Sequence, residues 1–195
     1  MADVVIYGWE RSTYVWTVRL VCAEKGVSHA LEPLDMKSKA HLDLHPFAKM
    51  PVLRHGDLVL YETSAICRYI DATFGGAALK PVKADERARM EQWISVLNAY
   101  CYDPLIRRFV LQYAFPKGAD GQPDRAVIDA ALEGRDFLAG DAPSIADFFL
   151  VPMLFYVRLM PEGARLLKSF GDLRRVHDGL MERPSFAATK PAFEK

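Results

Sequence analysis

His45-Pro-Phe-Ala-Lys-Met-Pro-Val-Leu-Arg-His-Gly-Asp-Leu-Val-Leu-Tyr-Glu-Thr-Ser-Ala-Ile-Cys-Arg-Tyr-Ile-Asp71 sets a proline-led strand, a hairpin turn and a capped helix in that order. Pro51 precedes an apolar run; lacking an N–H, it cannot donate to a ladder and belongs at a strand's start. A cis Met50–Pro51 bond turns the Met50 N–H and C=O outward, where an extended ligand can pair with them as one more strand. Glu62, Thr63 and Ser64 then open a helix, bringing unpaired N–H groups, two hydroxyls and a carboxylate together. Such a spot suits an amino-acid zwitterion. Taken singly, Pro51 starts a strand and Thr63 or Ser64 is an ordinary N-cap; in this order they point to a pocket for a small peptide.

Upstream, the β-rich run Val4-Val-Ile-Tyr7 precedes Thr13 to Lys25, where Val15, Val18 and Cys22 recur at helical spacing and Gly26 ends the run. Val27 to Leu34 reads as a second strand and Lys39 to Leu44 as a short helix. Val52 to Arg54 and Leu58 to Tyr61 flank the turn His55-Gly-Asp57, and Thr63 to Phe74 buries Ile66, Tyr69 and Ile70. The order βαβ, then ββα, is that of a thioredoxin-like sheet. Gly75-Gly76 through Lys83 has no periodicity and serves as a linker.

Everything beyond reads helical. Asp85 to Tyr113 carries Trp93, Leu97, Cys101 and Tyr100 as an apolar stripe, interrupted at Pro104, which removes a backbone donor. A turn through Pro116, Gly118, Gly121 and Pro123 leads to a short helix, Asp124 to Leu132. Ser144-Ile-Ala-Asp147 is a capping box, and the helix behind it, Phe148-Phe-Leu-Val-Pro-Met-Leu154, is apolar all round and belongs at a domain centre. The expected architecture is α/β plus all-α: residues 1–76 form a thioredoxin-like domain, 77–84 a linker and 85–195 a helical-bundle domain.

Composition narrows the function. The chain has 195 residues, 51% of them apolar, and Lys plus Arg balances Asp plus Glu at 25 each. With no basic run to track a phosphate backbone, nucleic acid is not the expected partner. The N-terminus lacks the pattern of a signal peptide and no apolar run approaches a bilayer span, so the expected location is cytoplasmic, with no membrane partner. Cys22, Cys67 and Cys101 are widely spaced among apolar residues and read as core hydrophobes, neither metal ligands nor a disulfide frame.

Chemistry is expected between the first strand and first helix, at Trp9-Glu-Arg-Ser-Thr-Tyr-Val-Trp-Thr-Val-Arg19. Ser12 stands at the helix mouth, where the macrodipole favours negative charge. A thiol with a pKa of roughly 8.5 is mostly protonated at neutral pH, and donors at a helix N-terminus lower that value. A serine hydroxyl is too weak an acid to act as a base here, so Ser12 stabilises a thiolate by hydrogen bonding. Ser12 or Thr13 also serves as a plain N-cap.

These motifs resemble the glutathione transferase family over residues 4 to about 190. The family pattern is Asn-Pro, a short link to X-Pro-X-Leu, then Glu-Ser-X-Ala-Ile, matched by His45-Pro46, Met50-Pro-Val-Leu53 and Glu62-Thr-Ser-Ala-Ile66, with His45 in place of Asn. Leu138-Ala-Gly-Asp and Ser144-Ile-Ala-Asp147 resemble its C-terminal domain. Gly8, Ser12, Val18 and Arg19 are similar to the serine-type, phi-like members, which implies that Ser12 activates the thiol of glutathione, a co-substrate; no cofactor and no metal are implied. Resemblance to the classes that use a tyrosine near the end of the first strand makes Tyr7 the rival for that role. Lys37, in Met-Lys-Ser, matches the lysine that holds the glycine carboxylate, with Lys39 and His41 as alternatives. Lys49, Met50, Pro51, Glu62 and Thr63 complete the implied glutathione site.

The implied second substrate is a small apolar electrophile, held by Trp9, Tyr14, Tyr102, Ile106 and Phe109 between the domains; the reaction is conjugation or peroxide reduction. A homodimer is carried over from the family alone. Arg11-Ser-Thr-Tyr-Val-Trp-Thr-Val-Arg19 is also similar to the zeta signature, which implies a maleylacetoacetate-type isomerase as the alternative, with Tyr14 and Glu62 departing from it. A non-catalytic binding module on the same fold is the third reading. The family pairs two long helices in its second domain, and against a first helix of roughly 40 Å, Asp124 to Leu132 returns only about 14 Å. About a dozen residues of that pattern are therefore missing near Ala131-Leu-Glu-Gly134, which favours an omitted stretch over a truncated helix.

Overall fold

A computed structural model of the protein describes residues 3–111 and 137–192, with the side chains of Pro104, Arg108 and Phe109 outside the description. The chain divides into two compact units, residues 1–79 with 184–195 and residues 80–183.

In the first unit, β1 (Val4–Tyr7), α1 (Thr13–Glu24), β2 (His29–Glu32), α2 (Lys39–Leu44), β3 (Val52–His55), β4 (Leu58–Tyr61) and α3 (Thr63–Thr73) follow one another. The sheet order is β2-β1-β3-β4, with β1 parallel to β2 and antiparallel to β3, and β4 antiparallel to β3. This is the expected thioredoxin-like arrangement. Val4 and Ile6 are buried while Val5 and Tyr7 are half-buried, the alternation of a strand with one core face. On α1, Val15, Trp16, Val18, Leu20, Val21 and Cys22 are all buried, and they pack against α3, which buries Ile66, Cys67 and Ile70. Each Leu-sized side chain buried in this way contributes about 1.5 to 3 kcal/mol.

The boundaries differ from expectation at the start of the linker and at the C-terminal tail. Asp71 accepts hydrogen bonds from Lys25 Nζ at 3.1 Å and from the Leu79 N–H at 2.9 Å, and Lys25 also donates to the Ala77 carbonyl. Residues 77–79 are therefore fastened to the first unit by a buried ion pair. The tail returns to that unit too. In α8 (Pro184–Thr189), Phe186 meets Trp16 with ring centroids 4.7 Å apart, and Thr189 Oγ1 accepts the Trp16 indole N–H at 3.0 Å. The expected helical domain, residues 85–195, thus ends at Arg183, because the tail completes the core around Trp16.

In the second unit, α4 (Ala84–Val96) continues into wider π-helical turns over Leu97–Cys101 and Asp103–Val110. The expected break at Pro104 is replaced by widening that begins at Leu97. Leu97, Cys101, Leu105 and Val110 are buried, a spacing of four to five residues that drifts off a 3.6-residue stripe, so wider turns keep them on one face. Met90 and Ile94 extend this face, whereas Tyr100, expected on the stripe, is 74% exposed.

The centre of the unit is α5 (Ile145–Leu159), buried without interruption from Ile145 to Val157, as its apolar sequence requires. It packs against α4, α6 (Pro161–Leu167) and α7 (Gly171–Met181). Gly163 is needed for close approach: a Cβ there would lie 2.0 Å from the Val157 carbonyl oxygen. Among the described residues, no helix is long and apolar enough to cross a membrane and no acidic, His or Cys cluster suits a metal. The expected helix Asp124–Leu132, the turn before it and the expected shortfall at Ala131–Gly134 lie outside the described residues.

Candidate active site

Strand register decides which loops share an edge. Tyr7 pairs with Glu32 and with Val52, and Val52 pairs with Tyr61. The segments that follow Tyr7, Glu32 and Tyr61, and the one that leads into Val52, therefore leave the sheet at the same end. They carry Gly8–Ser12, Pro33–Ser38, Met50–Pro51 and Glu62–Ser64. Every residue expected to hold glutathione belongs to this edge or its adjoining turns.

The first segment turns sharply into α1. Gly8 is required by close packing, since a Cβ there would meet Val15 Cγ2 at 2.5 Å. The Gly8 N–H donates to the Glu32 carbonyl, and the Trp9 N–H reaches Met50 Sδ at 3.4 Å. Ser12 is the N-cap of α1 with extended backbone, half-buried, and its hydroxyl accepts from the Val15 N–H at a long 3.4 Å. No acidic residue lies in the first turn of α1. Glu10, the nearest carboxylate in sequence, pairs with Arg19 at 3.3 Å. A positive helix end and a hydroxyl free to donate thus remain together at Ser12.

Met50–Pro51 is cis, with Pro51 buried and Met50 half-buried. Lys37 and Lys49 are both exposed. His41, proposed from sequence as an alternative cation for a carboxylate, is fully buried, and both its ring nitrogens are engaged by the segments bearing Lys37 and Lys49. His45 replaces the family's Asn without loss of the turn. Its Nδ1 accepts the Phe47 N–H at 3.2 Å, as an Asn side chain does two residues on, and its ring lies 4.6 Å from that of Tyr61.

Glu62 is the N-cap of α3; it is exposed, while Thr63 is buried and Ser64 half-buried. Among the described residues, the non-glycine residues with positive φ are Lys37 at 66°, Ala48 at 48° and Glu62 at 71°. Left-handed backbone costs an L-residue roughly 1 to 2 kcal/mol. All three lie in the segments at this one edge, and strain of this kind gathers at ligand-holding turns. Sequence reasoning missed Ala48 because nothing about alanine suggests a left-handed turn.

The other candidates divide. Tyr7 lies on the Val5 side of β1, away from Val4 and Ile6, with the Arg54 guanidinium 5.5 Å from its ring centroid. Trp9 is 53% exposed, and its indole N–H donates to the Leu34 carbonyl at 3.3 Å; Tyr14 is half-buried. A cleft of about 530 Å³ beside this loop is lined by Gly8, Trp9, Glu10, Arg11, Leu31, Pro33 and Ala192. Tyr102 is half-buried with the Arg107 guanidinium over its ring at 5.3 Å, and Ile106 is buried, which leaves it little surface for a ligand. The Phe109 side chain lies outside the described residues. Burial pushes the Cys22 thiol up to about 12 and Cys101 to about 11, with Cys67 also raised well above the ordinary value, so these thiols are not the nucleophile.

A thioredoxin-like unit with a helix mouth, a cis-proline turn and a second helix start at one sheet edge, followed in sequence by a helical unit, defines a class of two-domain proteins. The family model for the glutathione S-transferase N-terminal domain matches residues 6–78, and that for the C-terminal domain matches residues 126–182. The chain belongs to the glutathione S-transferase family. It is 31% identical to glutathione S-transferase 1 of Triticum aestivum over 95% of this chain and 92% of that protein. Among solved structures, glutathione transferase F2 from Populus trichocarpa is 26% identical, with a TM-score of 0.81 and coverage of 95% and 96%. Glutathione S-transferase I from mais, in complex with an atrazine glutathione conjugate, is 25% identical, with a TM-score of 0.79 and 95% coverage of both chains. These plant relatives agree with the expected serine-type, phi-like kinship. The wheat alignment runs over 214 residues, more than the 195 of this chain, so the relative carries internal residues that this chain lacks.

Proposed function

We propose that this protein binds glutathione at one end of its four-stranded sheet and conjugates it, through its sulfur, to a small apolar electrophile. The observation that carries the reading is the convergence of Ser12 at an acid-free helix start with two lysine-bearing turns and the Glu62–Thr63 helix start, all at one end of the sheet. Glutathione has a charge for each part. Lys37 attracts the glycine carboxylate, Lys49 adds a polar contact, Met50 beside Pro51 pairs with the cysteinyl backbone, and Glu62 and Thr63 hold the γ-glutamyl zwitterion.

The thiol then lies at Ser12, whose hydroxyl donates to the sulfur. Its proton leaves to solvent; the thiolate lone pair forms a carbon–sulfur bond with the electrophile, whose leaving group departs with its bonding electrons. The aromatic residues Trp9 and Tyr14 beside the loop suit an apolar partner. The reading includes a cytoplasmic setting, where reduced glutathione and free thiols persist, and a homodimer. A relative's crystallised glutathione conjugate supports conjugation as the chemistry.

The test is retention on immobilised glutathione, with calorimetry of the wild-type protein, followed by a conjugation assay using a chlorodinitrobenzene electrophile alongside a maleylacetoacetate isomerisation assay. Saturable conjugation supports the reading. Isomerisation without conjugation favours the zeta-type alternative, and glutathione binding without turnover leaves a binding module.

A further inference from the structure

We propose that His41 is a positioning residue for the glutathione site, a neutral imidazole that ties the Lys37 turn to the Lys49 turn and so fixes where both lysines start. The inference rests on the glutathione reading above. His41 lies on α2, is fully buried, and touches the two turns through opposite ring nitrogens. The Lys37 N–H donates to Nδ1 at 3.1 Å, and Nε2 lies 2.8 Å from the Lys49 carbonyl oxygen.

Those partners determine the proton. A backbone N–H can only donate, so Nδ1 must be bare; a carbonyl can only accept, so Nε2 must carry the hydrogen. The neutral Nε2–H tautomer alone satisfies both contacts. A doubly protonated ring would set an N–H against the Lys37 N–H.

The bridge acts where the backbone most needs support. Lys37 has left-handed φ of 66°, a conformation that is costly for a lysine, and its N–H is the group that His41 accepts. Lys49 immediately precedes Met50–Pro51, so the same ring also anchors the lead into β3. The backbone that carries the ring is held by Ser38, the N-cap of α2, whose hydroxyl accepts the His41 backbone N–H at 3.1 Å. Sequence alone made His41 a possible direct ligand; burial and two committed nitrogens give it an indirect role instead.

The test has two arms on the full-length protein. Nitrogen-15 NMR of labelled wild-type protein at neutral pH, with the His41 ring signals assigned through their correlation to the backbone resonances, should show a bare Nδ1 and a protonated Nε2. The opposite tautomer, or a ring protonated at both nitrogens, overturns the proposal without any demand on the folding of a substituted protein. In steady-state conjugation of chlorodinitrobenzene, His41→Phe removes both hydrogen bonds and should raise KM for glutathione about tenfold, the equivalent of one good hydrogen bond. His41→Asn, which keeps an acceptor near the Nδ1 position, should fall between. The turnover number and KM for the electrophile should stay within about twofold, because Ser12 is untouched. A His41→Phe protein with unchanged KM for glutathione, or with reduced turnover and unchanged KM, overturns the proposal. If wild-type protein fails to bind glutathione in calorimetry, the glutathione reading itself falls, and that failure is seen before any substitution is made.

Discussion

The helices α1 and α5 both begin with serine, and they use it in opposite ways. At α5 the sequence is Ser144-Ile-Ala-Asp147; at α1 it is Ser12-Thr-Tyr-Val15. Ser144 and Asp147 are buried, and the Asp147 carboxylate accepts the Ser144 N–H, the Ser144 hydroxyl and the Leu138 N–H, each at 2.8 Å. That helix end is filled by its own chain. Ser12 has valine three residues on, no carboxylate in the first turn and a single long contact at 3.4 Å. The difference teaches that a helix start becomes a place for a ligand only when the chain declines to neutralise it. One residue, Asp against Val at the third helical position, separates the neutralised helix start from the open one.

The largest expected effect lies on the filled side. Asp147→Ala strands three buried donors, and removing one partner of such a buried charged network costs about 3 to 5 kcal/mol. Chemical denaturation should show that loss. A change below about 1 kcal/mol would mean that the cap is wet and that the contrast between the two serines is one of degree.

The same carboxylate gives a pH signature. Burial pushes the Asp147 carboxyl up from 3.8 to about 6, against the hydrogen bonds that pull it down. Between those values the unfolded chain has released its proton and the folded chain still holds it, so stability falls as pH rises through the window. The expected loss of stability is about 3 kcal/mol at most, absent below the lower value and complete above the upper one. Subtracting the stability profile of Asp147→Asn from that of the wild type isolates it. A difference that rises with pH across that window would show that the hydrogen bonds outweigh burial.

Much of this contrast was legible in the sequence. Ser144-x-x-Asp147, the β-rich run before Ser12, the short helix at Lys39–Leu44 and the hairpin after Pro51 are local patterns, each decided within a few residues, and the structure keeps them. What was not legible depends on contacts distant in sequence. Nothing near Pro184 reveals that Phe186 and Thr189 complete the core around Trp16. Asp71 looks like a surface residue of α3 until Lys25 and Leu79 arrive. His41 and Ala48 carry no local signal for a bridge or a left-handed turn. The widening at Leu97 follows from where apolar residues must face, and a helical period of 3.6 assumed in advance hides it.

On the open side, the effect is on rate. Ser12→Ala removes one donor to a thiolate, worth about 1.5 to 3 kcal/mol, so turnover should fall about ten- to hundredfold in the chlorodinitrobenzene assay. Tyr7→Phe should cost less than about threefold, since Tyr7 points away from the core face of β1 and toward Arg54. If Tyr7→Phe is the more damaging change, the thiol sits on the tyrosine and the open helix start at Ser12 is only a cap.

The smallest effect is the most telling about division of labour. As an N-cap, a serine ordinarily contributes about 1 kcal/mol to stability. The Ser12 contact is long at 3.4 Å, and its residue is half-buried, so water can replace the hydroxyl in capping Val15. Ser12→Ala should therefore lower folding stability by only about 0.5 kcal/mol, measured by denaturation without glutathione. With glutathione in large excess the gap between wild type and variant should widen, because a ligand stabilises by the logarithm of its concentration relative to Kd and the variant holds the thiolate less well. A loss of 2 kcal/mol or more without ligand, roughly the upper limit for a cap, would make Ser12 a second Ser144, committed to the fold. The slower turnover of Ser12→Ala would then report a damaged helix start instead of a missing donor to sulfur.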